Sequence, residues 1–201
     1  MGIPGTIDND LGYTEYTIGF DTAVNTVLDA VTKIRDTSSS HERTTVIEVM
    51  GRGCGDIALF SGLTGGAEAV LIPEKPVYVN DICKKIIEGT NRGKQHSIII
   101  KAEGANISSQ ELVETITKQT GRDTRLVVLS YLQRGGSPTL NDRLLATLTG
   151  AKAVELFKAD SESKAIGVEN GKICAFDLIE AMGQKKEFNE EMYGLIDILS
   201  K

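Results

Sequence analysis

The apolar positions alternate between two periods along the chain. Val24, Val27, Leu28, Val31 and Ile34 recur at the three-and-four spacing of one helical face, which predicts a helix ending near the polar run Asp36-Thr37-Ser38-Ser39-Ser40. The β-branched stretch Thr44-Thr45-Val46-Ile47-Glu48-Val49-Met50 reads as a strand running into Gly51, and a short helix is expected from Asp56. Ala69-Val70-Leu71-Ile72, stopped by Pro73, predicts a second strand. Asn80 to Glu88, with Ile82/Ile86 and Cys83/Ile87 four apart, predicts a helix, and Ser97 to Ala102, with three successive isoleucines, a strand buried on both faces. Ser108 and Glu111 have capping-box spacing and open a helix through Leu112, Val113 and Ile116. Arg125 to Leu129 predicts a strand that ends in the loop Gln133-Arg134-Gly135-Gly136-Ser137-Pro138. Ser137 as N-cap and Pro138 at the first helical position then start a long helix through Leu144, Leu145, Leu148 and Ala151. Residues 165–176 read as a hairpin turning at Asn170-Gly171. Helices alternating with strands predict an α/β fold with largely parallel sheets and helices on both faces.

Composition narrows what such a fold could do. With 201 residues, 40% of them hydrophobic and 25% charged, the chain has the mixture of a globular domain. Lys+Arg 22 against Asp+Glu 28 gives a net charge of -6, which argues against nucleic acid or an anionic membrane as a partner. No apolar run reaches the roughly 20 residues that span a bilayer, and the opening residues lack a signal-peptide pattern, so a cytoplasmic protein is expected. Cys54, Cys83 and Cys174, widely spaced, with His41 and His96 as the two histidines, suggest neither a disulfide framework nor a zinc site.

Three groups of residues could carry chemistry. Asp8 and Asp10 stand two apart in the turn-rich stretch Pro4-Gly5-Thr6-Ile7-Asp8-Asn9-Asp10, where an extended backbone would put both carboxylates on one side. That arrangement suits proton abstraction beside a phosphate, and the same residues suit an Asx-turn. Gly51-Arg52-Gly53-Cys54-Gly55 and Arg134-Gly135-Gly136-Ser137 each place an arginine among glycines between a strand and a helix. Such loops can aim backbone N–H groups, a helix N-terminus and a guanidinium at an anion, and two of them in one chain favour phosphate binding. Arg43 and Arg125 near strand starts, Glu103 at a strand end, and the basic cluster of Arg92, Lys94 and His96 each fit a solvated surface as well as a ligand.

Taken together, Pro4-Gly5-Thr6-Ile7-Asp8-Asn9-Asp10, Gly19-Phe20-Asp21-Thr22-Ala23, Ser40-His41-Glu42-Arg43, Glu48-Val49-Met50-Gly51-Arg52, Ala102-Glu103-Gly104 and Gln133-Arg134-Gly135-Gly136-Ser137-Pro138 resemble bacterial ATP-dependent 6-phosphofructokinase, from Gly2 almost to the C-terminus. The resemblance implies transfer of the γ-phosphoryl group of MgATP to the 1-hydroxyl of fructose 6-phosphate. It implies Asp8 as the base, Thr6 and Asp10 organising phosphate and metal beside it, and Arg52 as the cation facing the transferring phosphoryl. Met50, Gly51 and Glu103 would contact the sugar, and Arg43, Arg125 and Arg134 its 6-phosphate. Arg43 and Arg125 would do so in a neighbouring subunit, so a homo-oligomer, usually a tetramer, is implied. Arg35, Gly66, Glu68, Arg92, Lys94 and His96 would form an effector site for ADP or phosphoenolpyruvate, with Glu68 near its magnesium.

The chain departs from the family pattern in places. Gly5 stands where the pyrophosphate-dependent enzymes usually carry lysine, which favours ATP as donor. Tyr131 stands where a histidine commonly touches the sugar phosphate; a tyrosine donates a hydrogen bond without a positive charge, so this contact is expected to be weaker. Gly53 and Cys54 replace a usual His-Ala pair, and Cys54 is expected to be a small buried thiol rather than a nucleophile. The family's loops that cradle ATP should precede Gly2, so the chain alone is expected to show little or no kinase activity, with exposed apolar faces and poor solubility. The expected organisation is a sugar-phosphate and effector domain at 20–132 with 184–201, and a remnant of an incomplete nucleotide domain at 1–19 with 133–183. A pyrophosphate-dependent kinase and a non-catalytic sugar-phosphate or nucleotide binder are the alternatives; retention of Asp8, Asp10 and Arg52 speaks against the binder.

Overall fold

A computed structural model describes residues 1–200. Four parallel strands, β1 (Thr44–Val49), β2 (Ala69–Leu71), β3 (Ser97–Ala102) and β4 (Thr124–Val128), form a sheet in the order β2-β3-β1-β4. Each successive pair is joined by a helix: α2 (Asp56–Thr64), α3 (Val79–Asn91) and α4 (Ser109–Thr120). The register is in step, Thr44 to Val49 pairing with Ser97 to Ala102, so the strands end level with one another. β3 is buried at every position, as its isoleucine run predicts.

Side chains alternate between the two faces of the sheet and so feed two cores. On one face Ile47, Val49, Ile98 and Ile100 pack with α1 (Phe20–Ser40), α2 and Ile196 of α7 (Glu190–Leu199). On the other, Val46, Leu71 and Ile99 pack with Ile82 and Ile86 of α3 and Leu112 and Ile116 of α4. Each such fully buried isoleucine contributes about 1.5–3 kcal/mol by leaving water. A smaller unit joins the chain start to the hairpin β5 (Lys164–Glu169) and β6 (Lys172–Asp177), where Gly2 bonds both Lys164 O and Ile166 N. Asn170 and Gly171 turn the hairpin at φ 51° and 72°, and Tyr13, Ala165 and Ala181 of α6 (Leu178–Gly183) fill its small core.

α1 ends at Ser40, within the polar run where it was expected to stop; Ser38 turns inward and bonds Thr45 Oγ1 at 2.7 Å while Ser40 Oγ donates to Thr37 O at 3.0 Å. Two local expectations are corrected. The strand ending at Val128 passes first into a 3₁₀ turn at Ser130–Arg134 before the glycine loop. The long helix α5 (Leu140–Lys158) is capped by Thr139, not Ser137: Thr139 Oγ1 accepts from Asp142 N, and Asp142 is itself tied to Gly19 N and Thr22 N on α1. The exposed face of α5 shows Leu140, Leu144, Leu148 and Phe157 to solvent. No helix among the described residues is long and apolar enough to cross a membrane.

Candidate active site

Parallel strands that end level present their following loops on one rim, and ligands of open α/β sheets bind there. The loops after β1, β3 and β4 meet the Thr6–Asp8 segment around a cleft of about 470 Å³, lined by Gly5, Thr6, Ile7, Asp8, Ile18, Met50, Arg52, Glu103 and Arg134. A side pocket of about 230 Å³ shares Met50, Glu103 and Arg134 and adds Glu48, Val128, Ser130 and Tyr131.

The loop after β1 needs its glycines. Gly51 takes φ 137° with its N-terminal neighbours in a strand, and a Cβ on Gly104 would collide with the Arg52 carbonyl. Arg52 itself is held at φ 51°, and its N–H donates to Glu103 Oε1 at 2.9 Å. Gly55 N–H likewise donates to Glu74 Oε1 at 2.8 Å. The expectation that this loop cradles an anion with backbone N–H groups is therefore corrected at these two positions: both donors already serve carboxylates of the fold, and the arginine side chain is what faces the cleft.

Asp8 is 5% exposed, and its Oδ2 lies 3.3 Å from Nε of the outward-facing Arg52. Desolvation, the largest influence, raises its carboxyl above the ordinary value of 3.8; the charges of Asp10 and Glu103 add to this, and Arg52 with the Thr6 hydroxyl hydrogen bond opposes it. The segment is not extended, because Asn9 takes φ 55°. Asp10 is consequently exposed and outside the cleft lining, near enough to bias Asp8 by charge but not sharing its wall. Nor is Asn9 an Asx-turn: its amide donates to Glu15 O and, at 2.7 Å, to the buried Asp56 Oδ2. Cys54 is 5% exposed and its thiol is pushed up to about 12, first by desolvation and then by Asp56, which leaves it un-ionised at neutral pH.

Some residues that sequence reasoning did not single out hold the site together. The buried Gln133 accepts from Met50 N at 3.1 Å through Oε1 and donates to Ser130 O at 3.2 Å through Nε2. Its signal was its place in the Gln133-Arg134-Gly135-Gly136 motif. Asp56 and Glu74 had no local signal. Arg134, exposed, stacks its guanidinium 5.0 Å from the centre of the Tyr131 ring.

Arg43 and Arg125, the other arginines expected to meet the 6-phosphate, lie at the other end of the sheet. Arg43 precedes β1 and Arg125 is the second residue of β4, about 16 Å of strand away from the cleft. Both bond Asp123, from Arg43 Nε at 2.6 Å and Arg125 Nε at 3.0 Å; desolvation of Asp123 is outweighed by these hydrogen bonds and its carboxyl is held below the usual value. The residues that the resemblance groups as an effector site are at this end too. Arg35 donates to Gly65 O beside Gly66, and the buried Glu68 accepts from Lys94 Nζ and Ile98 N. His96 is lowered first by desolvation and then by the charges of Arg35, Lys94 and Arg122, with Glu68 opposing. Arg92, the C-cap of α3, is exposed.

Fold and cleft define a doubly wound α/β protein that presents a desolvated carboxylate and two arginines at the carboxyl ends of its strands. A family model described as phosphofructokinase matches residues 1–157. The chain belongs to the phosphofructokinase family. It is 54% identical over 200 residues to ATP-dependent 6-phosphofructokinase of Clostridium novyi (strain NT), covering 100% of this chain and 62% of that protein. It is 54% identical over 201 residues to the enzyme of the same name from Clostridium acetobutylicum, covering 100% and 63%. The chain thus spans less than two thirds of the length of these curated relatives. Among solved structures, phosphofructokinase from Saccharomyces cerevisiae superposes with TM-score 0.86 at 36% identity over 90% of this chain and 25% of the other. A pyrophosphate-dependent phosphofructokinase from Marinobacter aquaeolei shares the fold, with TM-score 0.84 at 24% identity over 94% and 54%.

Proposed function

We propose that this chain forms the base-bearing, sugar-phosphate-binding side of a cytoplasmic ATP-dependent 6-phosphofructokinase. The observation that carries the reading is the facing pair of Asp8 and Arg52 in one cleft with Glu103 and Arg134. In the reaction the 1-hydroxyl oxygen of fructose 6-phosphate attacks the γ-phosphorus of ATP, the bond to the ADP oxygen breaks, and the hydroxyl proton passes to Asp8. A carboxyl raised by desolvation is a stronger base when ionised, and Arg52 opposite it stabilises charge spreading over the phosphoryl oxygens. Arg134 holds the 6-phosphate as a charged fork, and Glu103, anchored by the Arg52 N–H, accepts sugar hydroxyls.

Magnesium keeps most of its waters, so the exposed Asp10, outside the cleft wall, suits a contact made through a metal-bound water. It would supply charge neutralisation on the transferring phosphates. Glu68 does not fit as it stands, because both of its oxygens are already engaged by Lys94 and Ile98 N. Arg43 and Arg125, turned away from their own cleft, are placed to serve a second copy's site, which supports a homo-oligomer. The cationic surplus of Arg35, Arg92, Lys94 and His96 supports an anionic effector such as ADP or phosphoenolpyruvate. Calorimetric titration with fructose 6-phosphate tests the central reading. Binding by the wild-type chain that is lost in Arg134→Ala is expected; equal affinity in both would overturn it.

A further inference from the structure

Glu48 belongs to the strand that leads into Arg52, yet the reading above leaves it without a role. It is the register partner of Lys101 across β1 and β3, on the face that otherwise packs Val46, Ile99 and Leu112. Lys101 is 2% exposed, and its ammonium reaches Glu48 Oε2 at 3.3 Å and Ala102 O at 3.1 Å. The hydroxyl of Ser109, first residue of α4, donates to the same Oε2. One carboxylate oxygen is thereby fully engaged. The hydrogen bonds that Glu48 accepts among the described residues all go to Oε2 and leave Oε1 without one, and Glu48 lines the side pocket with Glu103, Tyr131 and Arg134.

A buried lysine is costly to desolvate, and an apolar pair of the same volume would pack this layer at least as stably. What the ion pair adds is a carboxylate fixed by one oxygen at the wall of the pocket, with the other left free to meet a ligand. That oxygen repels an anion as such and attracts only a ligand that offers it a hydrogen. We propose that Glu48 contacts the substrate and sets specificity: its Oε1 accepts a hydroxyl hydrogen from a polyhydroxylated phosphate ester whose phosphate is held by Arg134. This rests on the reading of the cleft as a sugar-phosphate site.

Two probes separate the possibilities, fructose 6-phosphate and inorganic phosphate, each titrated calorimetrically into the full chain as wild type, Glu48→Gln and Arg134→Ala. Glutamine keeps an oxygen for Lys101 and Ser109 and turns a donor to the pocket. It is expected to weaken fructose 6-phosphate about 10-fold, the scale of a hydrogen bond to a charged acceptor, and to leave inorganic phosphate unchanged or tighter. Unchanged or improved sugar-phosphate binding overturns the inference, and so does an equal loss for both probes, which marks a merely structural role. The underlying reading fails differently: wild type binds neither probe, or Arg134→Ala leaves fructose 6-phosphate affinity intact, and the inference falls with it. If Glu48→Gln does not fold, Ser109→Ala keeps the ion pair and frees only the carboxylate's orientation. About threefold weaker fructose 6-phosphate with unchanged phosphate is then expected, and any other pattern overturns the assignment.

Discussion

At the carboxyl ends of β1 and β3 the carboxylates of Asp8, Glu48 and Glu103 gather around Arg52 and Arg134, and each is only partly satisfied by the fold. At the amino ends of the same strands Arg43 and Arg125 share the single carboxylate of Asp123, and Lys94 pairs with the single carboxylate of Glu68, with Arg35 close enough to act by charge on the neighbouring His96. On the proposed reading the first arrangement is a pocket whose acids accept hydroxyl hydrogens and whose arginines hold a phosphate. The second is a surface with more cations than anions. On that reading, one parallel sheet places sugar-phosphate recognition at the carboxyl ends of its strands, where the following loops meet, and anion recognition at their amino ends.

The strongest way to break this contrast is to remove one arginine from each end. Arg134→Ala is expected to weaken fructose 6-phosphate about 10- to 100-fold by calorimetry, the range of hydrogen bonds to a charged group, while Arg43→Ala changes same-chain binding by less than about threefold. Gly104→Ala comes next: with the Arg52 carbonyl in the way of the new methyl, a loss of about 1–3 kcal/mol in urea unfolding and a weakened sugar-phosphate affinity are expected.

A pH series sharpens the comparison further. Asp8 and Asp56 both have carboxyls raised chiefly by desolvation above their ordinary 3.8. The folded chain thus holds these protons more tightly than the unfolded one. Their contribution to stability is fully present below 3.8 and is lost as pH rises through the raised values. Asp56→Asn keeps an acceptor for Asn9 and is expected to flatten that fall, read as urea midpoints across the acidic range; an unchanged slope would remove Asp56 from the account. The smallest effect belongs to the other end. Asp123→Asn, at an exposed bridge, is expected to leave the urea midpoint where it was while freeing two guanidinium groups for anions.

What was legible in the sequence was local. Ser108 capping Glu111 N, the Asn170-Gly171 turn and the triple-isoleucine strand follow from spacing and residue type within a few positions. The N-cap of α5 was not, because Thr139 is selected over Ser137 by bonds from Asp142 to Gly19 and Thr22, separations of 123 and 120 residues. Within the site, Asp8 and Arg52 were found through motifs, while the commitment of the Arg52 and Gly55 N–H groups to Glu103 and Glu74 needed the loops side by side. Lys101 falls inside the strand expected to be buried on both faces, and its register with Glu48 shows what its ammonium meets there.

Burial of two of the three cysteines sorts the thiols by reactivity. Cys54 and Cys83 lie inside at 5% and 3% exposure, with thiols raised by desolvation, while Cys174 on β6 is half-buried. A maleimide dye at neutral pH would therefore mark the hairpin in the native protein and reach the sheet-side thiols only as the fold opens, so that unmutated chain carries its own reporter of local against global unfolding.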